Sequence, residues 1–216
     1  MYHDEKMGEK PPDRGRRLTP KVIYNMAKRP LNNDVFCGDT GLFREFDDKV
    51  FLAVVDVLGH GVRAQKVAED CEAFLEKNYR LDLPEMMLGL HEHIKGSRGA
   101  MAGLCRLDLK TGELKYVGIG DTVAKTIGSE NTQFISLSGV IGYTIPTPRE
   151  KTGNLHMGDV LLLHTDGIKA HFRPQEYPEL PNDTPTTITT RMIEQFGKEY
   201  DDALCMALKY LPEGEE

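Results

Sequence analysis

The chain has 216 residues, 39% of them hydrophobic and 28% charged, and its formal net charge at pH 7 is −7. This length fits one medium-sized domain, and no apolar run approaches the ~18 residues of a membrane span. Because nucleic acids and anionic membranes attract basic surfaces, the acidic balance argues against both as partners. The four cysteines form no C-x-x-C pair and follow no secretory signal, so we expect a cytoplasmic protein with reduced, mostly buried thiols.

The N-terminal part of the chain is predicted to be a leader followed by strands. Residues 1–20 are polar and contain three prolines, so we expect a loose segment there and a single domain over 21–216. Alternating side chains over 22–26 predict a first strand. Residues 39–41 are predicted to form a hairpin turn between two short extended segments. The largely continuous apolar run over 50–57 predicts a central strand.

Helices are predicted next in the chain. Apolar residues recur at helical spacing over 62–78 and again over 83–94, which predicts two amphipathic helices. At the start of the second one, Asp82 and Glu85 have the spacing of a capping box, in which two side chains satisfy two backbone N–H groups.

Hairpins dominate the second half of the chain. Strands are predicted at 100–108, 114–120, 122–127, 133–137 and 160–164. The irregular, proline-containing stretch 170–183 is predicted to be a loop or flap. Thr184-Pro185 is a suitable start for a third helix, and 204–211 closes the chain as a strand. Since no βαβ alternation appears, the sequence predicts an α+β fold in which two stacked antiparallel β-sheets are flanked by helices.

Short acidic segments carry the functional signal. Their carboxylates are Asp39, Asp56, Asp166 and the pair Asp201-Asp202. In three of the four segments the aspartate adjoins a run with the composition of a buried strand, where an ionised carboxylate is costly unless it is compensated. Carboxylates that converge at one end of a core suit hard cations such as Mg²⁺ and Mn²⁺, although each alone is equally typical of a turn or cap. The pattern favours a hydrolase in which two ions activate water against a phosphate ester.

Individual roles follow from position. Asp56 suits a bridge between two ions, because it ends the most apolar strand and a Gly-rich turn follows it. Asp39, Asp166 and Asp201 are candidates to complete the ligand sets. His60, in the same turn, is a candidate general acid because an imidazole titrates in the useful range. Simple packing within the turn is the alternative for this histidine.

Three further histidines are not assigned to the site. His91 and His93 lie off the apolar stripe of the second helix and are interpreted as surface residues. His164 is expected to point into a core layer beside Asp166 or to hydrogen-bond within it. The sequence contains no P-loop, nucleophile elbow, G-x-G-x-x-G motif or zinc-type cysteine spacing.

Several short motifs occur in a fixed order: C-G-D at 37–39, D-V-L-G-H-G at 56–61, T-D-G at 165–167 and D-D-A-L at 201–204. Together they resemble the metal-dependent type 2C (PPM) protein phosphatases, in the bacterial sporulation and stress-response branch that includes SpoIIE, RsbU and RsbX. Within that branch, R-G-A at 98–100, G-I-G-D at 118–121 and I-G-Y at 141–143 are most similar to the compact, RsbX-type stressosome phosphatases. The resemblance runs from about residue 22 to 211 and implies an αββα sandwich.

The resemblance implies a role for each acidic residue. Asp56 would bridge two Mn²⁺ or Mg²⁺ ions. Asp166 and Asp201 would share one ion, and Asp39 would support the other. The backbone carbonyl of Val57 would also be a ligand.

The sequence departs from the family pattern at two positions. Val57 replaces a Gly, which reduces the freedom of the turn, and Leu204 replaces the Thr of D-D-x-T, which removes a hydroxyl. Asp202 is interpreted as structural, although the sequence does not separate it cleanly from its neighbour. A third ion, which some relatives bind, would pair Asp121 with a carboxylate where Ala170 lies, so we do not expect one here.

The resemblance implies a cytoplasmic, metal-dependent phosphoserine and phosphothreonine protein phosphatase that forms no covalent intermediate. Its substrates would be phosphorylated STAS-type proteins of a stressosome-like complex, and a monomer is favoured. Two alternatives stay open. One is a PPM-fold binding module of the same complex that is weakly active or inactive, and the other is a different metallohydrolase built from the same carboxylates.

Overall fold

The computed structural model describes residues 21–169, 172–173 and 176–212, and leaves out the side chain of Asn33. The predicted leader at 1–20 lies outside the described residues, so the leader and the proposed domain limits stay predictions. In the described part of the chain, no helix is both long and apolar enough to cross a bilayer. The four cysteines are free and buried there, as predicted.

Ten strands and three α-helices are described, numbered here along the chain. The strands are β1 (Lys21–Arg29), β2 (Asp39–Phe46), β3 (Lys49–Val57), β4 (Ala100–Asp108), β5 (Glu113–Ile119), β6 (Val123–Ile127), β7 (Gln133–Phe134), β8 (Lys151–Asn154), β9 (Val160–His164) and β10 (Ala203–Leu211). The helices are α1 (Val62–Asn78), α2 (Leu83–His93) and α3 (Pro185–Phe196). The strands pair antiparallel in two five-stranded sheets, with the orders β1-β10-β9-β6-β7 and β2-β3-β4-β5-β8.

The two sheets stack face to face, with the helices outside. Side chains of β3 alternate between layers, as the two-residue period of a strand requires. Val50, Leu52 and Val54 point into the core between the sheets. Phe51 and Val55 point to the core beneath α1 and α2. Burial on both faces explains the continuous apolar run, and the arrangement confirms the predicted α+β sandwich.

The helices begin and end close to where the apolar spacing predicts. Helix α3 packs on β1 and β10, and its N-cap Thr184 accepts a hydrogen bond from the N–H of Thr187 at 3.2 Å, as expected for that residue type. The prediction of a capping box at the start of α2 is wrong, because the Asp82 side chain makes no capping hydrogen bond. The prediction that His91 is a surface residue is also wrong, since its Nδ1 accepts from the N–H of Gly142 at 3.1 Å and the side chain is only 12% exposed.

The predicted turn at 39–41 is wrong, because this segment is the start of β2 and pairs with β3. The reversal lies at Asp47-Asp48, where Asp47 has φ 52°. Gly41 marks close packing instead of a turn. A Cβ at that position would lie 2.8 Å from the Met26 sulfur and 3.1 Å from the Ala53 carbonyl oxygen, so a side chain there would force its neighbours to shift.

The stretch predicted as a loop or flap contains anchored apolar side chains in its described part. Phe172 and Leu180 are buried, and the Phe172 ring centroid is 5.1 Å from that of Phe196 on α3. These contacts hold the connection against α3. The short strand β8 was not predicted, because its alternation is weak and its residues are polar or Gly.

Candidate metal centre

Asp39 and Asp56 lie directly opposite each other on neighbouring strands. Asp39 opens β2, Asp56 is the penultimate residue of β3, and the two are paired in the antiparallel register. Like charges in such a pair repel at close range. Asp39 is 2% exposed, and burial, followed by repulsion from Asp56, raises its pKa well above the usual range. The pair is therefore costly when both carboxylates are ionised and nothing compensates them.

The other sheet delivers two more carboxylates to the same edge. Asp166 follows β9 and Asp201 precedes β10, and these strands pair so that Cys205 lies opposite His164. Burial, followed by repulsion from Asp166 and Asp201, raises the pKa of Asp56 to about 7. Burial, followed by repulsion from Asp166, also raises the pKa of Asp201. All four aspartates proposed from the sequence thus lie close enough to influence one another.

Thr165 ties the two sheets together at this edge and was not identified from the sequence. Its buried hydroxyl donates to the Asp39 carboxylate at 2.6 Å and accepts from the Leu204 N–H at 3.0 Å. The Leu204 side chain lies in the core between the sheets. Asp39 therefore receives a hydroxyl contact even though a Thr is missing at 204. The position of Thr165 inside T-D-G was the available signal.

Asp202 uses both carboxylate oxygens to hold backbone. It is 4% exposed, and it accepts from the N–H groups of Leu31 and Gly38, each at 2.7 Å. Gly38 directly precedes Asp39, so this clamp positions β2. Asp201 and Asp202 lie before β10, so the direction of their side chains is not governed by strand alternation. The contacts agree with the interpretation of Asp202 as structural.

The turn after Asp56 is held from outside by Arg98. The Arg98 Nε donates to the Leu58 carbonyl at 2.8 Å, and a Cβ on Gly59 would overlap the guanidinium. Gly59 also has φ 83°, which favours glycine. His60 is exposed in this turn. Sequence reasoning did not assign Arg98 a role beyond the resemblance of R-G-A.

Val57 needs no glycine-like backbone, because it lies in the extended part of β3. Its side chain is 1% exposed in the core beneath α1, and its N–H donates to the Gly38 carbonyl at 3.3 Å. The proposed ligand is the backbone carbonyl, which a Val can present as well as a Gly. The replacement therefore contributes packing without a strained backbone.

The structure also bears on the predictions for His164 and for a third ion. His164 is buried, with its Nδ1 2.8 Å from the Thr165 carbonyl oxygen, and burial lowers its pKa to about 4, which agrees with a neutral core residue. Asp121 is exposed, and its N–H contacts the Met101 sulfur at 3.3 Å. Ala170, the position used to argue against a third ion, lies outside the described residues.

A basic residue enters the same centre. The Lys198 Nζ lies 3.6 Å from the Asp166 Oδ1, and its positive charge partly offsets the rise in the pKa of Asp56 and Asp201. The sequence pattern gave no signal for this residue.

The donor set fits a hard divalent cation in chemistry, although the side chains are not gathered around one point. Among the described residues, no three His, Cys, Asp or Glu side chains converge closely enough to hold a metal ion as placed. The donors are all oxygens, as Mg²⁺ and Mn²⁺ prefer. Their mutual repulsion is also what bound cations would relieve.

Comparison with known proteins agrees with this fold. A family model described as stage II sporulation protein E (SpoIIE) matches residues 47–209. The phosphoserine phosphatase RsbX of Bacillus subtilis (strain 168) is 22% identical over 178 residues, which cover 79% of this chain and 88% of RsbX.

Solved structures show the same sandwich. A chain from work on the bacterial stressosome, described as a modular system adapted to control secondary messenger signalling, superposes with a TM-score of 0.82 at 27% identity, covering 88% of this chain and 100% of its own. RsbX in complex with magnesium superposes with a TM-score of 0.77 at 17% identity, covering 88% of this chain and 95% of RsbX. The second likeness, at its low identity, supports the fold alone.

Proposed function

The chain belongs to the SpoIIE family of PPM-type phosphatases, and on that premise we propose that it hydrolyses phosphoserine or phosphothreonine in proteins with the help of Mn²⁺ or Mg²⁺. The observation that carries this proposal is the meeting of four aspartates from two sheets at one edge of the core. An uncompensated group of this kind is unfavourable, and divalent cations are the natural compensation.

When bound, two such ions would hold phosphoryl oxygens and lower the pKa of a water molecule that attacks phosphorus. Asp56 is the proposed bridging ligand, with Asp166 and Asp201 on one side of it and Asp39 on the other. The carbonyl of Val57 is the proposed backbone ligand. His60 is exposed in the turn that follows Asp56 and is the proposed proton donor to the leaving alcohol.

The supporting residues act on position. The Thr165 hydroxyl orients the Asp39 carboxylate, and Asp202 holds the backbone just before it. Arg98 holds the turn that directly follows Val57 and carries His60. Such contacts reduce the reorganisation needed when the transition state forms.

The proposed substrates are phosphorylated STAS-type proteins of a stressosome-like complex, and the proposed location is the cytoplasm. Similarity to RsbX and to a stressosome chain supports this assignment. We expect the protein to act as a monomer, without nucleic acid or membrane. Among the described residues, no three acidic, His or Cys side chains converge as placed, which favours one second candidate, a PPM-fold binding module with weak or no activity.

The test is hydrolysis of a phosphoserine peptide and of a small aryl phosphate during titration with MnCl₂ or MgCl₂. Metal-dependent release of phosphate by the natural chain, lost in Asp56→Asn, supports the phosphatase. Absence of turnover at any metal concentration, together with retained binding to a STAS-type protein, would instead establish the binding module. Preference for nucleotides over phosphopeptides would indicate a different metallohydrolase.

A further inference from the structure

Lys198 is a basic side chain in contact with the candidate metal centre. Its ammonium lies 3.6 Å from the Asp166 carboxylate, and the two side chains are 22% and 33% exposed. Asp166 and Asp201 are proposed to bind the same metal ion. The Lys198 ammonium and that ion would therefore compete for the carboxylate oxygens of Asp166.

The backbone places Lys198 at the centre and keeps it there. Its N–H donates to the Gly167 carbonyl at 2.8 Å, and its own carbonyl accepts from the Arg29 guanidinium. The preceding Gly197 forms a bridge with Ile168. The start of the Lys198 side chain is therefore fixed beside the residues that directly follow Asp166, and only its flexible stem is free to move.

The same ammonium also contacts an aromatic ring. Tyr200 is 74% exposed, and its ring centroid lies 5.9 Å from the Lys198 Nζ, within the range of a cation–π contact. An ammonium that leaves Asp166 can remain over this ring or enter water. The backbone contacts of Lys198 do not need to change for this movement.

We propose that Lys198 is a built-in counter-ion that neutralises the Asp166–Asp201 position when no metal is bound and is displaced when a divalent ion enters. This inference rests on the proposed function and adds a regulation of metal affinity to it. A cation near these carboxylates is favourable in either state, since Asp166 and Asp201 lie close enough to repel each other. Lysine provides it without excluding metal, because a partly exposed ion pair is weak.

The consequence is a metal affinity lower than the carboxylates alone would provide. Binding must break the lysine contact and then tolerate a positive charge nearby, and both effects are modest in a partly solvated site. Removal of the charge is therefore expected to tighten Mn²⁺ binding by about three- to tenfold.

The experiment compares Mn²⁺ binding by isothermal titration calorimetry in the natural chain, Lys198→Met and Lys198→Arg. Met keeps an unbranched stem without the charge, and Arg keeps the charge. Lys115→Met is the matched control, because Lys115 also pairs with a partly exposed carboxylate, Glu150, at 2.9 Å. Lys115 pairs with Arg106 on the neighbouring strand, and Arg106 pairs with Phe51 on β3. Phe51 lies five residues, or about 17 Å, along β3 from Asp56.

Thermal unfolding supplies a readout that a purely structural lysine would not produce. In EDTA, Lys198→Met is expected to melt below the natural chain, because its carboxylates lose their counter-ion. In saturating MnCl₂, its increase in melting temperature is expected to exceed that of the natural chain. A lysine that only supports the fold would lower the melting temperature equally in both conditions. Lys198→Gln repeats the measurement if the Met variant fails to fold.

Each possible result either supports or overturns the proposal that Lys198 is a counter-ion. Tighter Mn²⁺ binding in Lys198→Met, with Lys198→Arg and Lys115→Met close to the natural chain, supports the proposal. Unchanged or weaker binding in Lys198→Met, or equal tightening in Lys115→Met, overturns it while leaving the metal-dependent phosphatase intact. If neither the natural chain nor any variant binds Mn²⁺, both the counter-ion and the metal-dependent function are overturned.

Discussion

Replacement of Asp56 by Asn should stabilise the metal-free protein, even though it removes the central metal ligand. Asp56 carries a pKa of about 7 in the fold, against an ordinary value of 3.8, chiefly because it is buried and then because neighbouring carboxylates repel it. A raised carboxyl pKa means that the folded state holds a proton that the unfolded state has lost. Stability is therefore reduced as the pH rises from about 4 to 7.

The size of the effect follows from this shift. About three pKa units at roughly 1.4 kcal/mol each set an upper bound of about 4 kcal/mol at pH 8. At pH 5 only the first part of the titration has occurred, and the bound falls to about 2 kcal/mol. Asn has nearly the same shape and no charge, so Asp56→Asn should recover a large share of this free energy, and more of it at pH 8 than at pH 5.

The assay is urea unfolding at pH 5 and pH 8, with EDTA present and then with MnCl₂. Asp121→Asn is the matched control, because it removes the same charge from an exposed aspartate and should show little gain at either pH. With MnCl₂ the order should reverse, since ligand binding stabilises only the protein that binds it. An equal gain at both pH values, or destabilisation by Asp56→Asn at pH 8 in EDTA, would refute the reasoning.

Other substitutions separate metal ligands from supporting residues. Asp201→Ala should remove most Mn²⁺-dependent activity with little loss of stability, whereas Asp202→Ala should cost about 3 kcal/mol in urea unfolding because two backbone N–H groups lose an anionic acceptor; the opposite ranking would make Asp202 the ligand. Val57→Gly should lose about 2–4 kcal/mol, from lost burial and greater unfolded-state entropy, while the MnCl₂ concentration for half-maximal activity stays equal or falls. A markedly higher requirement would show that the Val side chain positions the turn. Thr165→Val should cost about 1–3 kcal/mol, since Asp39 and a backbone N–H lose their partner, and it should weaken Mn²⁺ binding in calorimetry. Unchanged stability and binding in that variant would show that the hydroxyl contact contributes nothing.

The apolar pattern alone predicted those elements whose buried faces are visible in their own sequence. The apolar spacing over Val62–Asn78 predicted α1 with the bounds observed, and the largely continuous apolar run over 50–57 predicted the central strand β3. Prediction failed where a residue type has two uses. Gly41 was interpreted as a turn residue, but a side chain there would crowd Met26 of the other sheet and the Ala53 carbonyl of the neighbouring strand β3.

The candidate site likewise contains residues that the sequence identified and partners that only the structure revealed. The residues around Asp39, Asp56, Asp166 and Asp201 could be named from short motifs, because a carboxylate beside a buried strand is visible locally.

The partners of those carboxylates were decided only by tertiary structure. The hydroxyl on Asp39 comes from Thr165, 126 positions along the chain, and the clamp on Gly38 comes from Asp202, 164 positions away. Lys198 reaches Asp166 because backbone contacts with Gly167 and Arg29 turn it toward the centre. A sequence motif records which side chains an element presents and to which face. Which distant groups meet those side chains depends on how two sheets and a helix pack, and packing is a property of the whole chain.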